Sequence, residues 1–185
     1  MLASRFFQII ELSLEYMNYN LHPIFVHFPI AFFLLYSLLR LLPWPKRLPT
    51  VDWRIPRIVM LIVGLLGAWL ANITGEVAQH LTKPNHALVE MHETFAGASV
   101  NIYVILLIAE VLIFIKPEWL DTQYLKFIKP LIIFLQKLFA GPYLFWLLAL
   151  VGAILIAITG LLGGVMVYGT AADPLAAPVM KLLGL

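Results

Sequence analysis

Between Tyr143 and Tyr168 the chain runs for 26 residues without a charged side chain. A stretch that long and that apolar has one stable home, a helix across a bilayer, because hydrocarbon offers backbone N–H and C=O groups no partners but one another. Three more segments exceed the ~17-residue minimum for a spanning helix: Ile24–Leu42, Ile58–Gly75 with a helical extension to about His80, and Thr94–Ile115. Pro43 and Pro45 stop the first. Asn85 precedes His86–Glu93, which reads as a helical start continuous with the third. The expected fold is all-α: an integral membrane, antiparallel four-helix bundle over residues 21–168, with interfacial amphipathic helices attached.

Composition agrees. Charged residues make up 12% of the 185 positions, about half the share in soluble domains. No hydrophilic stretch is long enough for a second domain. The chain has no cysteine, which excludes thiolate zinc, iron–sulfur clusters held by the chain, disulfides and covalent CxxCH haem.

The loops set an expected orientation. Arg40, Lys46, Arg47, Arg54 and Arg57 gather between spans one and two, and Lys116, Lys126, Lys129 and Lys137 between three and four. Nine of the twelve basic residues therefore share one side, and the positive-inside rule makes that side cytoplasmic. Both termini and all histidines then face outward. Residues 1–20 are read as an interfacial helix, with Phe6, Phe7, Ile10, Leu14 and Met17 opposite Gln8, Glu11 and Glu15. Those acidic residues, and the lack of a small-residue cleavage site, set the segment apart from a signal peptide. Residues 124–139 mix lysines with an apolar face and read as a second interfacial helix, while residues 169–185 form an external tail. Trp44, Trp53, Trp119 and Tyr143 fall where an aromatic belt is expected.

The five histidines carry the functional signal. His22 and His27 open span one, His80 closes span two, and His86 and His92 lead into span three. Histidine is the commonest metal ligand and a usual axial ligand of haem. His27 lies about one turn inside the apolar segment, where a polar ring must find a partner. The strings His27-Phe-Pro-Ile-Ala31 and His92-Glu-Thr-Phe-Ala96 both read H-x-x-apolar-A. Gly67-Ala68 and Ile73-Thr74-Gly75 recur in span four as Gly152-Ala153 and Ile158-Thr159-Gly160. A duplicated hairpin with His27 and His92 equivalent would explain both matches. On this reading His27 and His92 are the primary cofactor ligands, with His22 and His86 as fallback pair or second site. Ala96-Gly97-Ala98 offers a wall for a flat macrocycle, centred on Gly97.

Bland readings stand beside these. His22 before Pro23 suits a helix start, and the faces His86/Glu90/Glu93 and Glu76/His80 suit solvated helix ends as well as zinc or copper ligation. The stripes Gly64, Ala68, Ala71, Gly75 and Ala153, Ala157, Gly160, Gly164 suit plain helix packing. Glu110, more than a turn inside span three, either snorkels, pairs with Arg57 or Arg40, or has a proton or quinone role.

The string Leu21-His-Pro-Ile-Phe-Val-His-Phe-Pro-Ile-Ala31, the Thr74-Gly75 ending of span two, the histidines after it and Thr159-Gly-Leu-Leu-Gly-Gly-Val-Met-Val-Tyr168 resemble a bacterial family of small four-helix membrane proteins, a domain of unknown function. The resemblance covers roughly Leu21 to Tyr168. Members sometimes occur joined to Rieske-type iron–sulfur or c-type haem domains, which implies electron transfer at the outer membrane face. The family often has a histidine just after its final valine–tyrosine, where this chain has Gly169-Thr170, so one site here is changed or absent if that histidine is a ligand.

The leading expectation is a b-type cytochrome in the bacterial cytoplasmic membrane. Non-covalent haem b near the outer leaflet would relay electrons between quinone or another partner and a c-type cytochrome or Rieske-type protein, within a larger membrane complex. Against this reading, no arginine cluster is available for the haem propionates; only Arg5 and Lys83 are obvious candidates, and those carboxylates could simply face water. The alternatives are a copper or zinc site drawing on His22, His27, His80, His86 and His92, or a structural subunit. No nucleic-acid partner is expected.

Overall fold

The computed structural model describes Ser13 and residues 19–185. The expected surface helix over residues 1–20 lies outside the described residues apart from Ser13, Tyr19 and Asn20. Four helices are long and apolar enough to cross a membrane. The first is a short α1 (His22–Phe25) continued by α2 (His27–Leu41). Pro29 has no N–H to offer Phe25, and the helix loosens at Val26 between the two pieces. The others are α4 (Arg54–Thr82), α5 (His86–Phe114) and α7 (Pro142–Tyr168), and a single-turn α3 (Trp44–Arg47) lies between α2 and α4. Among the described residues there is no strand.

Local chemistry ends each span where the sequence says it should. Leu42, forced out of helical geometry by Pro43, is extended at φ −95 and ψ 149. Lys83 turns left-handed at φ 47 and closes α4 on the Gln79 carbonyl at 2.9 Å. Two residues later the Asn85 side chain accepts from the Ala87 N–H at 2.9 Å and starts α5. Gly169, at φ 75, stops α7 in a conformation that side chains rarely adopt.

The bundle is two copies of one helical hairpin, α1/α2–α4 and α5–α7. Each leading helix packs on both trailing helices. Inward positions repeat at alternating four- and three-residue steps, the seam spacing of packed helices. In the leading helices the equivalent pairs are His22/His92, Val26/Ala96, Pro29/Ser99, Phe33/Tyr103, Tyr36/Leu106 and Arg40/Glu110. In the trailing helices they are Arg57/Phe145, Leu61/Ala149, Gly64/Gly152, Ala68/Ile156, Ala71/Thr159 and Gly75/Gly163. None of these residues is exposed. Phe33 and Tyr103 meet at the centre as stacked rings, 3.9 Å between centroids and 11° from parallel. A side chain on Gly64 would collide with the Phe33 ring at 2.5 Å, and one on Gly152 would press the Tyr103 ring at 3.0 Å. The same close approach is built twice.

The expected duplication is therefore present in a different register. His27 is not the counterpart of His92. It stands five residues beyond His22, about 140° further round the helix, and is exposed. Gly67 likewise gives way to Gly64 as the counterpart of Gly152.

Large apolar residues on the outer surface, Leu35, Ile62, Leu66, Ile108, Leu147 and Ile154 among them, are 44–58% exposed, as a lipid-facing surface requires. α6 (Lys129–Ala140), too short to span, sits where the second interfacial helix was expected. Gln136 on α6 donates to the Leu112 and Ile115 carbonyls at 2.8 and 2.7 Å, satisfying the open end of α5. The expected C-terminal tail is structured. Its α8 (Ala176–Leu183) packs back on α7.

Candidate functional site

Two imidazoles occupy equivalent places at one end of the bundle. His22 Nδ1 lies 2.9 Å from the Ala71 carbonyl and 3.3 Å from the Thr74 hydroxyl. His92 Nδ1 lies 3.0 Å from the Thr159 carbonyl. A carbonyl can only accept, so in both rings Nδ1 carries the proton and donates. The lone pair is left on Nε2, the nitrogen then available to a metal. A backbone carbonyl that fixes the tautomer and ring orientation in this way is the usual companion of a metal-ligating histidine.

The wall behind each ring is also duplicated. A Cβ on Gly75 would come within 3.4 Å of the His22 Cε1, and one on Gly163 within 3.3 Å of the His92 Cε1. Each glycine stands four residues beyond the carbonyl that its ring engages. Part of the small-residue pattern thus makes room for imidazoles. Both rings are partly buried.

The remaining histidines are placed differently. His27 Nδ1 donates to the Pro23 carbonyl one turn back, and its ring is exposed. His80 and His86 are exposed at the ends of α4 and α5. Glu90 and Glu93 are exposed too, and Glu93 accepts from Gln79 at 2.6 Å. Gly97 is exposed, with nothing within 4 Å of the position a Cβ would take, so no helix lies against the expected macrocycle wall. Among the described residues no three histidine, aspartate or glutamate side chains gather at metal-binding spacing. The structure gives His22 and His92, one member of each sequence-derived pair, equivalent settings at the same end of the bundle.

The opposite end holds a charge cluster. Glu110, 2% exposed, accepts on one oxygen from Arg40 Nε and Nη2 at 2.9 and 2.6 Å, Arg57 Nε at 2.9 Å and the Tyr36 hydroxyl at 3.2 Å. Both expected arginine partners are engaged at once. The Arg40 guanidinium also lies 3.8 Å over the Phe145 ring. Sequence reasoning missed Tyr36 and Phe145, although both stand on the inward seams.

No protein-family model matches the chain, and no curated protein or solved structure shows similarity to it.

Proposed function

We propose that the protein is a membrane electron-transfer protein that holds one b-type haem between His22 and His92. The observation that carries this reading is the matched pair of imidazoles, each with Nδ1 engaged by a carbonyl and Nε2 left as donor. Two nitrogen donors on facing helices are what a six-coordinate haem asks of a bundle. Zinc sites ask for three or four protein ligands, and no such group occurs among the described residues. The donor set therefore favours haem over the copper or zinc alternative.

On this reading the protein contributes ligands, orientation and a dry surrounding that sets the potential, and the porphyrin carries the electron. His22 comes from the first hairpin and His92 from the second, so each copy would supply one ligand. The basic residues between α2 and α4 and between α5 and α7 favour a cytoplasmic position for that end. The histidine end would then face outward in a bacterial cytoplasmic membrane. An external carrier, a c-type or Rieske-type protein as the resemblance implies, would exchange electrons there, with quinol as a candidate donor.

The test is a visible spectrum of protein purified from haem-replete cells, before and after reduction. A sharp, low-spin bis-histidine spectrum is expected, with about one haem per chain. A protein with no Soret band that also fails to take up added hemin overturns the reading. Stoichiometric copper or zinc in such a protein would establish the alternative.

A further inference from the structure

We propose that the arginine end of the bundle binds the phosphate of an anionic phospholipid, through Arg57, Arg40 and the indole N–H of Trp44. The argument begins with charge. Two guanidiniums face one carboxylate, and their ion pairs converge on a single oxygen of Glu110. One positive charge is left over in a largely buried setting, where an unbalanced charge is costly. The other described acids at this end make no ion pair with Arg40 or Arg57. Asp52 is bonded to Arg54 and Asp121 to Lys129, and Glu118 makes no ion pair with either arginine. Arg57 engages Glu110 through Nε, which leaves its two terminal nitrogens, Nη1 and Nη2, outside that ion pair.

Trp44 supplies the second, independent observation. Its Nε1 is buried and has no hydrogen-bond partner, the one such side-chain atom among the described residues. A buried indole N–H normally finds an acceptor. Trp44 lies in the connection between α2, which carries Arg40, and α4, which carries Arg57. The missing acceptor and the missing negative charge thus fall at the same end, beside the same two helices.

Depth and surface identify the ligand as lipid. Arg40 is one residue from the end of α2, and Arg57 is three residues past the start of α4. Both stand within about a turn, ~5 Å, of the helix ends, the level of phosphates rather than of acyl chains. Leu38, Leu42, Ile55 and Val59 on the same stretches are 43–51% exposed and offer acyl chains an apolar surface. A phosphate oxygen accepts from guanidinium and indole alike, and its charge completes the ion cluster.

The test uses the full chain in detergent, stripped of native lipid. Binding of phosphatidylglycerol, phosphatidylcholine and inorganic phosphate is compared by native mass spectrometry and by the shift in unfolding temperature. Phosphatidylglycerol should be retained at least tenfold more strongly than phosphatidylcholine, and inorganic phosphate should have no effect. Arg57→Gln should abolish that preference. Trp44→Phe, which leaves the Glu110 cluster intact, should weaken phosphatidylglycerol retention at least threefold, and it decides the matter if Arg57→Gln does not fold. Equal retention of the two lipids, or a Trp44→Phe protein that binds as the parent does, overturns the proposal. A stabilising effect of inorganic phosphate alone would overturn the lipid assignment in favour of a free-anion site.

Discussion

Arg40 and Glu110 stand at equivalent positions of the two hairpins, and their side chains meet at 2.6 Å across the bundle. Two identical hairpins related by a true two-fold would place like charges there. Joining the copies in one chain lets the same position be cationic in one and anionic in the other. The flanking seam residues diverge in step. Arg57 donates to Glu110, and its counterpart Phe145 lies under Arg40.

That pairing makes Glu110 the most sensitive residue at this end. Glu110→Gln would leave two guanidiniums facing a neutral group and should lower stability by about 3–5 kcal/mol. Adding Arg57→Gln removes one of the two unbalanced charges, so the double variant should be more stable than the sum of the single losses. Reversible unfolding in mixed micelles measures both. Strict additivity would show that the two side chains do not interact.

The haem assignment separates the five histidines. His22→Ala and His92→Ala should each abolish the low-spin spectrum and weaken haem retention at least tenfold, about 1.4 kcal/mol. His27→Ala, His80→Ala and His86→Ala should leave the spectrum unchanged, since these rings are exposed. Loss of the spectrum in His27→Ala with retention in His22→Ala would reverse the assignment.

The glycines behind the rings can be tested without touching a ligand. Gly163→Leu should drive the His92 ring from its place and release haem, because even a Cβ would sit 3.3 Å from that ring. Gly97→Leu should keep full haem occupancy, because the space beside Gly97 is open. Haem content of monodisperse protein is the readout. Equal occupancy in the two variants would remove the role assigned to Gly163.

At the centre of the bundle, Tyr103 combines a stacked ring with a hydroxyl 2.9 Å from that of Ser37. Tyr103→Phe keeps the stack and loses one hydrogen bond, for about 1 kcal/mol. Tyr103→Ala opens a cavity and should cost about 3–5 kcal/mol. Equal losses in unfolding experiments would mean that the stack contributes nothing of its own.

Orientation is open to direct labelling, because the chain has no cysteine to give background. Single cysteines at the exposed positions Thr50 and Thr122 should react only from the cytoplasm. One at Asn85, exposed beside the histidine end, should react with an impermeant reagent from outside. The reverse pattern would put the histidines in the cytoplasm.

The four spans and their ends were legible because a bilayer demands long apolar helices, and Pro43, Asn85 and Gly169 mark boundaries through backbone chemistry alone. The facing of each span was harder to read. In lipid the outer surface is as apolar as the interior, so the hydropathy contrast that reveals a soluble core is missing. Matching the strings around His27 and His92 therefore aligned an outward-facing residue with an inward one. A usable signal lay in the few polar and aromatic residues at seam spacing, His22, Tyr36 and Arg40 in one copy and His92, Ser99, Tyr103 and Glu110 in the other.

The Phe33–Tyr103 stack sits ~16 Å along the helices from the His22–His92 level. The Tyr103 hydroxyl bonds to Ser37, and Tyr36, edge-on to the Tyr103 ring, bonds to Glu110. Among the described residues no hydrogen bond crosses from these groups to either imidazole. This aromatic layer separates the imidazole end from the ion cluster, so a change at one end reaches the other through ring packing and helix position rather than through direct hydrogen bonds among the described side chains.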